Sequence, residues 1–258
     1  MFHPSPTPIA IRNALLLLLA CAAGYVDALS YIALGRVFTA NMTGNTALLG
    51  IALVGGEGQA VIQSGLALAG FLVGAALSAW IVNRGQTDVV WPPAVTVALV
   101  LEGAILIAFA VGWRFASDSS PMPSARAVLI ALSAVAMGVQ SAAARRLDVS
   151  GIATTYITGT LTSLVTHVAG SLRGAGVIVP KRKPSGPANH MRPTGSAHGA
   201  GLLATVWLVY VGGAIVATGA ISRSQVFASV FPVAVIMVVI ATAAISFRER
   251  EKGSDTFS

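Results

Sequence analysis

Charge is scarce in this sequence. Only 10% of its 258 residues are Asp, Glu, Lys or Arg, against about 25% in an ordinary soluble domain. That leaves no room for a large soluble domain. Cysteine occurs once, at Cys21, which excludes an internal disulfide and a cysteine-rich metal site. Acidic residues are fewer than basic ones, and the net charge of +7 could suit nucleic acid. The basic residues, however, sit in short loops and the tail, as in cytoplasmic loops of membrane proteins, so no nucleic-acid partner is expected. Metal-spaced His/Asp/Glu clusters, a Gly-x-Ser-x-Gly elbow and a phosphate loop are all missing. His167 and Ser171 share one short helix without an oxyanion site. Neither a metal, a cofactor nor an enzymatic activity is therefore expected.

What is present is apolar. Hydrophobic residues make up 55% of the chain and the mean hydropathy is +0.79. Several runs reach the roughly 20 residues that span a bilayer, so the expected class is an all-α polytopic membrane protein. Six long transmembrane helices are read at 11–34, 61–82, 94–113, 126–144, 202–221 and 226–247. Two short, broken or re-entrant helices are read at 43–54 and 158–172. Together they make a single membrane domain. Residues 1–10 read as a leader. Arg12 followed by LLLLLACAAG imitates a signal peptide, but the apolar run continues past Cys21, as in a retained first helix. Residues 173–201, rich in Pro, Gly and Ser, read as a flexible basic loop.

The organising stretches are the two breaks. Asn41-Met42-Thr43-Gly44-Asn45 is polar and glycine-broken within an apolar run, and irregular backbone at membrane depth survives only inside protein or beside a watered cavity. Thr43 is expected to cap the short helix that follows. The pattern returns around Thr158-Gly159, with Thr39/Thr154, Thr43/Thr158, Gly44/Gly159 and Leu49/Leu164 in register. This suggests two repeats, about 11–113 and 126–247. With six spans each repeat holds three, so the second is inverted. Arg12, Arg84, Arg145, Arg146, the 173–201 loop and the basic tail then share one side. Arg36, Arg114, Arg126 and Arg223 face the other. The positive-inside rule puts both termini in the cytoplasm. An eight-span layout, with both short segments crossing fully, is the alternative; six spans keep Arg145-Arg146 on the basic side.

Two signatures carry a resemblance. The first is Gly24-x-x-Asp27 followed by Phe38-x-Ala40-Asn41-x-Thr43-Gly44-Asn45. The second is Met137-Gly138-x-Gln140 followed by Thr154-Thr155-Tyr156-x-Thr158-Gly159-Thr160. From about Leu15 to Phe247 the chain resembles the YoaK family of bacterial inner-membrane proteins, a domain-of-unknown-function family. The resemblance implies a multi-pass protein of the bacterial inner (cytoplasmic) membrane and supplies no substrate.

Function is therefore read from polar residues in apolar surroundings. Asp27 shares a helix stripe with Gly24 and Tyr31, and a carboxylate in a span marks a substrate or ion pathway unless it simply reaches headgroups. Glu102, central in its span, is a second proton-coupling candidate beside Asp27, or an interhelical anchor. Asn41, Thr43, Gly44 and Asn45, with Thr158 and Gly159 facing them, would present helix N-termini to a small solute near the midplane. Packing alone is the bland alternative. Gln140 is a cavity donor or an interhelical hydrogen bond. Lys181, Arg182 and Lys183 are expected on anionic headgroups. The expected function is a small-solute transporter or permease whose partners are membrane lipids and an unidentified solute, with homo-oligomerisation left open. The alternative is a non-transporting scaffold or lipid-associated protein.

Overall fold

A computed structural model describes residues 7–83, 89–116, 123–147, 162, 164, 165 and 197–254. Every regular element among them is a helix. In chain order these are α1 (Pro8–Ala33), α2 (Met42–Gly55), α3 (Gly58–Val82), α4 (Pro93–Ala116), α5 (Pro123–Arg146), α6 (Ala197–Arg223) and α7 (Gln225–Ser254). All but α2 are long and apolar enough to cross a membrane, which gives six candidate spans. The expected all-helical membrane class therefore holds. The second break, including Thr158 and Gly159, and the loop carrying Lys181, Arg182 and Lys183 lie outside the described residues.

Contacts at the helix ends fix the direction of each span. Arg146 donates from Nε to the Val82 carbonyl at 3.2 Å, and Trp91 stacks on Phe247 at 5.5 Å. The close of α3, the approach to α4 and the close of the apolar part of α7 therefore share one end. At the opposite end, Gly35, Gln63 and Arg126 meet around one cleft. There α1 stops, α3 starts and α5 starts. Consecutive spans alternate in direction, and α1 begins at the end where the apolar part of α7 finishes.

Two crossings need bare backbone. A Cβ on Gly24 would run into the Tyr210 carbonyl, and one on Gly213 into that of Cys21. On the other side of the bundle, a Cβ on Gly138 would strike the Phe71 carbonyl and one on Gly74 that of Val135. Small residues allow this approach where lipid tails give helices no hydrophobic reason to associate. Helix α1 thus packs on α6 and α3 on α5, with α4 and α7 closing the bundle.

One break inside a span is repaired by a side chain. Pro232 lies within α7 and offers no N–H to the carbonyl four residues earlier. That carbonyl, on Ala228, instead accepts from the Tyr25 hydroxyl at 2.8 Å, while the Tyr25 ring stacks on Phe231.

Candidate functional site

Helix α1 ends in a six-to-one turn, with the Arg36 N–H on the Tyr31 carbonyl at 3.0 Å and Gly35 at a positive φ. This is how a helix stops when glycine follows it. The chain then turns back into the bundle. At its deepest point Asp27, only 3% exposed, gathers three successive backbone donors on Oδ1. They are the N–H groups of Thr39, Ala40 and Asn41, at 3.0, 2.7 and 3.2 Å. Successive N–H groups converging on one oxygen form an anion nest. The other oxygen, Oδ2, accepts from the Tyr210 hydroxyl. Asp27 lies six residues before the end of α1, about 9 Å deep at 1.5 Å per residue. Free N–H groups at such depth would each cost several kcal/mol, and the carboxylate removes that cost.

The short helix is anchored from the same stretch. Asn41 is its N-cap and accepts from the Gly44 N–H at 3.1 Å. Thr43, expected in that role, lies inside the first turn and is exposed. Asn45, fully buried, accepts from the Phe38 N–H at 3.0 Å and donates to the Phe38 carbonyl. Its carboxamide thus stands in for a neighbouring strand. A Cβ on Gly44 would come within 2.9 Å of the Phe38 ring and 3.1 Å of the Asn41 amide. Tyr31 is 39% exposed and stacks on Phe38 at 5.0 Å, on the outer side of the node.

Behind the nest, three hydroxyls form a chain. Ser30 donates to the Val26 carbonyl at 2.7 Å. Its only proton being committed, Ser30 must accept from Thr39 at 2.9 Å, and Thr39 in turn from Ser133 at 2.9 Å. All three residues are fully buried. The chain ties α1, the break and α5 together and leaves no hydroxyl proton idle.

After α2 the chain comes back to the end it left, since Arg36 and Glu57 line the same cleft. The break is therefore re-entrant, as in the six-span layout. Gln140 is not part of this node. It donates from Nε2 to the Leu19 carbonyl at 3.0 Å, two helical turns before Asp27 on α1, and its Oε1 is buried without a partner among the described residues. Glu102 is fully buried, and neither of its oxygens has a hydrogen-bond partner among the described residues. Its neighbour Gly103 faces Ile236 and Ile240 of α7.

Three participants escaped the sequence reading. A tyrosine in an apolar span must find a partner for its hydroxyl, and that signal could have singled out Tyr210. Ser30 and Ser133 gave no comparable signal, because helix serines ordinarily bond to their own backbone.

The family model described as protein of unknown function (DUF1275) matches residues 15–243. The UPF0700 transmembrane protein YoaK of Bacillus subtilis (strain 168) is 43% identical over 166 residues, which is 64% of this chain and 71% of that protein. No solved structure matches the chain.

Proposed function

The chain belongs to the DUF1275 family of the transmembrane protein YoaK, and from that premise we propose that it is a small-solute transporter or permease of the bacterial inner membrane, with both termini cytoplasmic. The observation that carries the reading is the re-entrant break held by Asp27. A buried carboxylate bound to free backbone N–H groups inside a span couples its own charge to the position of an irregular segment. Protonation weakens the nest, and a solute oxyanion can replace the carboxylate on the same N–H groups. Asp27 is thus both latch and proton carrier. Asn41, Gly44 and Asn45 shape the break, and Thr43 and Tyr31 border it. Glu102 is the second proton-coupling carboxyl. Thr158, Gly159 and Gln140 belong to the other half of the pathway.

The two glycine crossings are what we read as the trace of an inverted repeat. Exchanging α1 with α5 and α3 with α6 maps one glycine crossing onto the other. In each, both glycines meet the carbonyl three residues before the opposing glycine. Helices α1 and α5 run in opposite directions, so under the proposed repeat the second half would be inverted, as in transporters that rock one repeat against the other.

A scaffold reading draws on a different fact: Asp27 already has four hydrogen-bond donors. Thermal unfolding of the purified protein, screened against fractionated metabolite pools, separates the two. The transporter reading expects at least one pool to raise the Tm of the wild type and to do so much less in Asp27→Asn. An asparagine keeps an acceptor for the nest but loses the charge, and its NH2 replaces the oxygen that accepts from Tyr210, so that the Tyr210 hydroxyl must accept instead. A protein indifferent to every pool would favour the scaffold.

A further inference from the structure

The cleft where α1 stops has chemistry of its own. It is lined by Gly35 and Arg36, by Glu57, by Gly58, Gln59, Ala60 and Gln63 of α3, and by Arg126 of α5. Arg36 stands at φ 61, a left-handed conformation that side-chain-bearing residues seldom adopt. Such strain persists where the surroundings hold it, often at binding sites. Helix α3 opens with Glu57 as its N-cap, and no side chain caps its first N–H groups. Gln63 is only 8% exposed, yet its carboxamide, on the wall of the cleft, has no hydrogen-bond partner among the described residues. The Nε of Arg126 is also buried without a partner among them. An open cleft walled by a largely buried amide without a protein partner, and by a guanidinium whose Nε is buried without one, offers polar groups to a ligand.

We propose that this cleft binds a phosphate group carrying a single negative charge. Residues able to donate line it from three elements: Arg36 after α1, Arg126 on α5, and the N-terminus of α3 with Gln63. Three directions of approach suit a tetrahedral oxyanion better than a planar carboxylate, and guanidinium forks bind phosphate oxygens two at a time. The helix N-terminus adds positive potential. Glu57 opposes the two arginines, so the named side chains sum to one positive charge. That balance favours a phosphodiester or a monoanionic ester over a dianion. The phosphate can come from a lipid headgroup, since the cleft opens at the end of the spans, or from a soluble phosphate compound.

The test uses the full chain in a neutral detergent. Inorganic phosphate is titrated at constant ionic strength while thermal unfolding is followed, and retention of phosphatidylglycerol against phosphatidylcholine is counted by native mass spectrometry. Arg36→Gln and Arg126→Gln are each expected to weaken the response about tenfold or more. Arg223→Gln, which removes an exposed arginine at the same end of the bundle, should leave it unchanged. Glu57→Gln should strengthen it. A saturable response to inorganic phosphate identifies a soluble ligand. Arginine-dependent retention of phosphatidylglycerol alone identifies a headgroup. If either glutamine variant has a lowered Tm without ligand, Arg36→Lys and Arg126→Lys replace it. Keeping the charge but losing the fork, they should bind with intermediate strength. Lysine variants that bind like wild type, losses equal to that of Arg223→Gln, or no arginine-dependent response in either arm would overturn the proposal.

Discussion

At the scale of single residues, a small set of side chains does the work of a missing strand. Asn45 pairs with both backbone groups of Phe38, so Asn45→Ala leaves two interior polar groups without partners. Each such group costs about 1–3 kcal/mol, and the thermal midpoint should fall clearly. The two candidates for the cap of α2 can be separated in the same assay. Asn41→Ala removes a real cap bond and should cost about 1 kcal/mol. Thr43→Ala, at an exposed position, should be close to neutral. The reverse order would mean that the helix starts one turn differently in solution. Asp27 was legible because a carboxylate in an apolar run is expensive. The identity of its partners was not. Nothing in the spacing of Thr39, Ala40 and Asn41 announces that their N–H groups turn back 12 to 14 residues. The pairing with Tyr210 spans 183 residues, a separation that no local pattern encodes.

Among the helices, the glycines divide into those that carry a crossing and those that do not. Alanine at Gly24, Gly74, Gly138 or Gly213 would push a methyl into the backbone of the facing helix. Each should destabilise by about 1–3 kcal/mol, the usual cost of overpacking. Gly219 of α6 has open space around it, and alanine there should be neutral or stabilising by up to about 1 kcal/mol. Unfolding in detergent reads all five. The Gly70/Gly74 spacing of α3 was visible in the sequence as a contact motif. Its partner helix was not, because small residues recur in every span and only the assembled bundle shows that Gly138 answers Gly74. Pro232 gives a sharper test. Tyr25→Phe should cost about 1–3 kcal/mol by stranding the Ala228 carbonyl. In a Pro232→Ala background, the restored N–H can serve that carbonyl, so the same substitution should cost much less. Equal costs in both backgrounds would detach Tyr25 from the proline.

For the whole molecule, length and hydropathy sufficed for the six spans, since an apolar run of about 20 residues has few other uses. The sense of each span needed the end contacts, and the re-entrant path of the first break needed the shared lining of Arg36 and Glu57. In a Cys21→Ser background, single cysteines at Glu57 and Ser224 should label with an impermeant maleimide from outside intact cells, whereas Asn83→Cys should label only after lysis. Labelling of Glu57→Cys and Ser224→Cys from opposite sides would convert α2 into a full crossing. The two glycine crossings are also chemically unequal. Three residues after the crossing glycine stands Asp27 on α1 and Ser141 on α5. The facing positions are Tyr210 and Phe71.

The most direct measurement follows proton movement in liposomes carrying the purified protein and a trapped pH-sensitive dye, after addition of whichever metabolite pool stabilises it. Wild-type protein is expected to move protons together with that pool. Asp27→Asn, inserted to the same level and with an unfolding midpoint near that of the wild type, is expected to move none. Proton movement of equal rate in Asp27→Asn would contradict the account and leave the carboxylate a structural pin for the break.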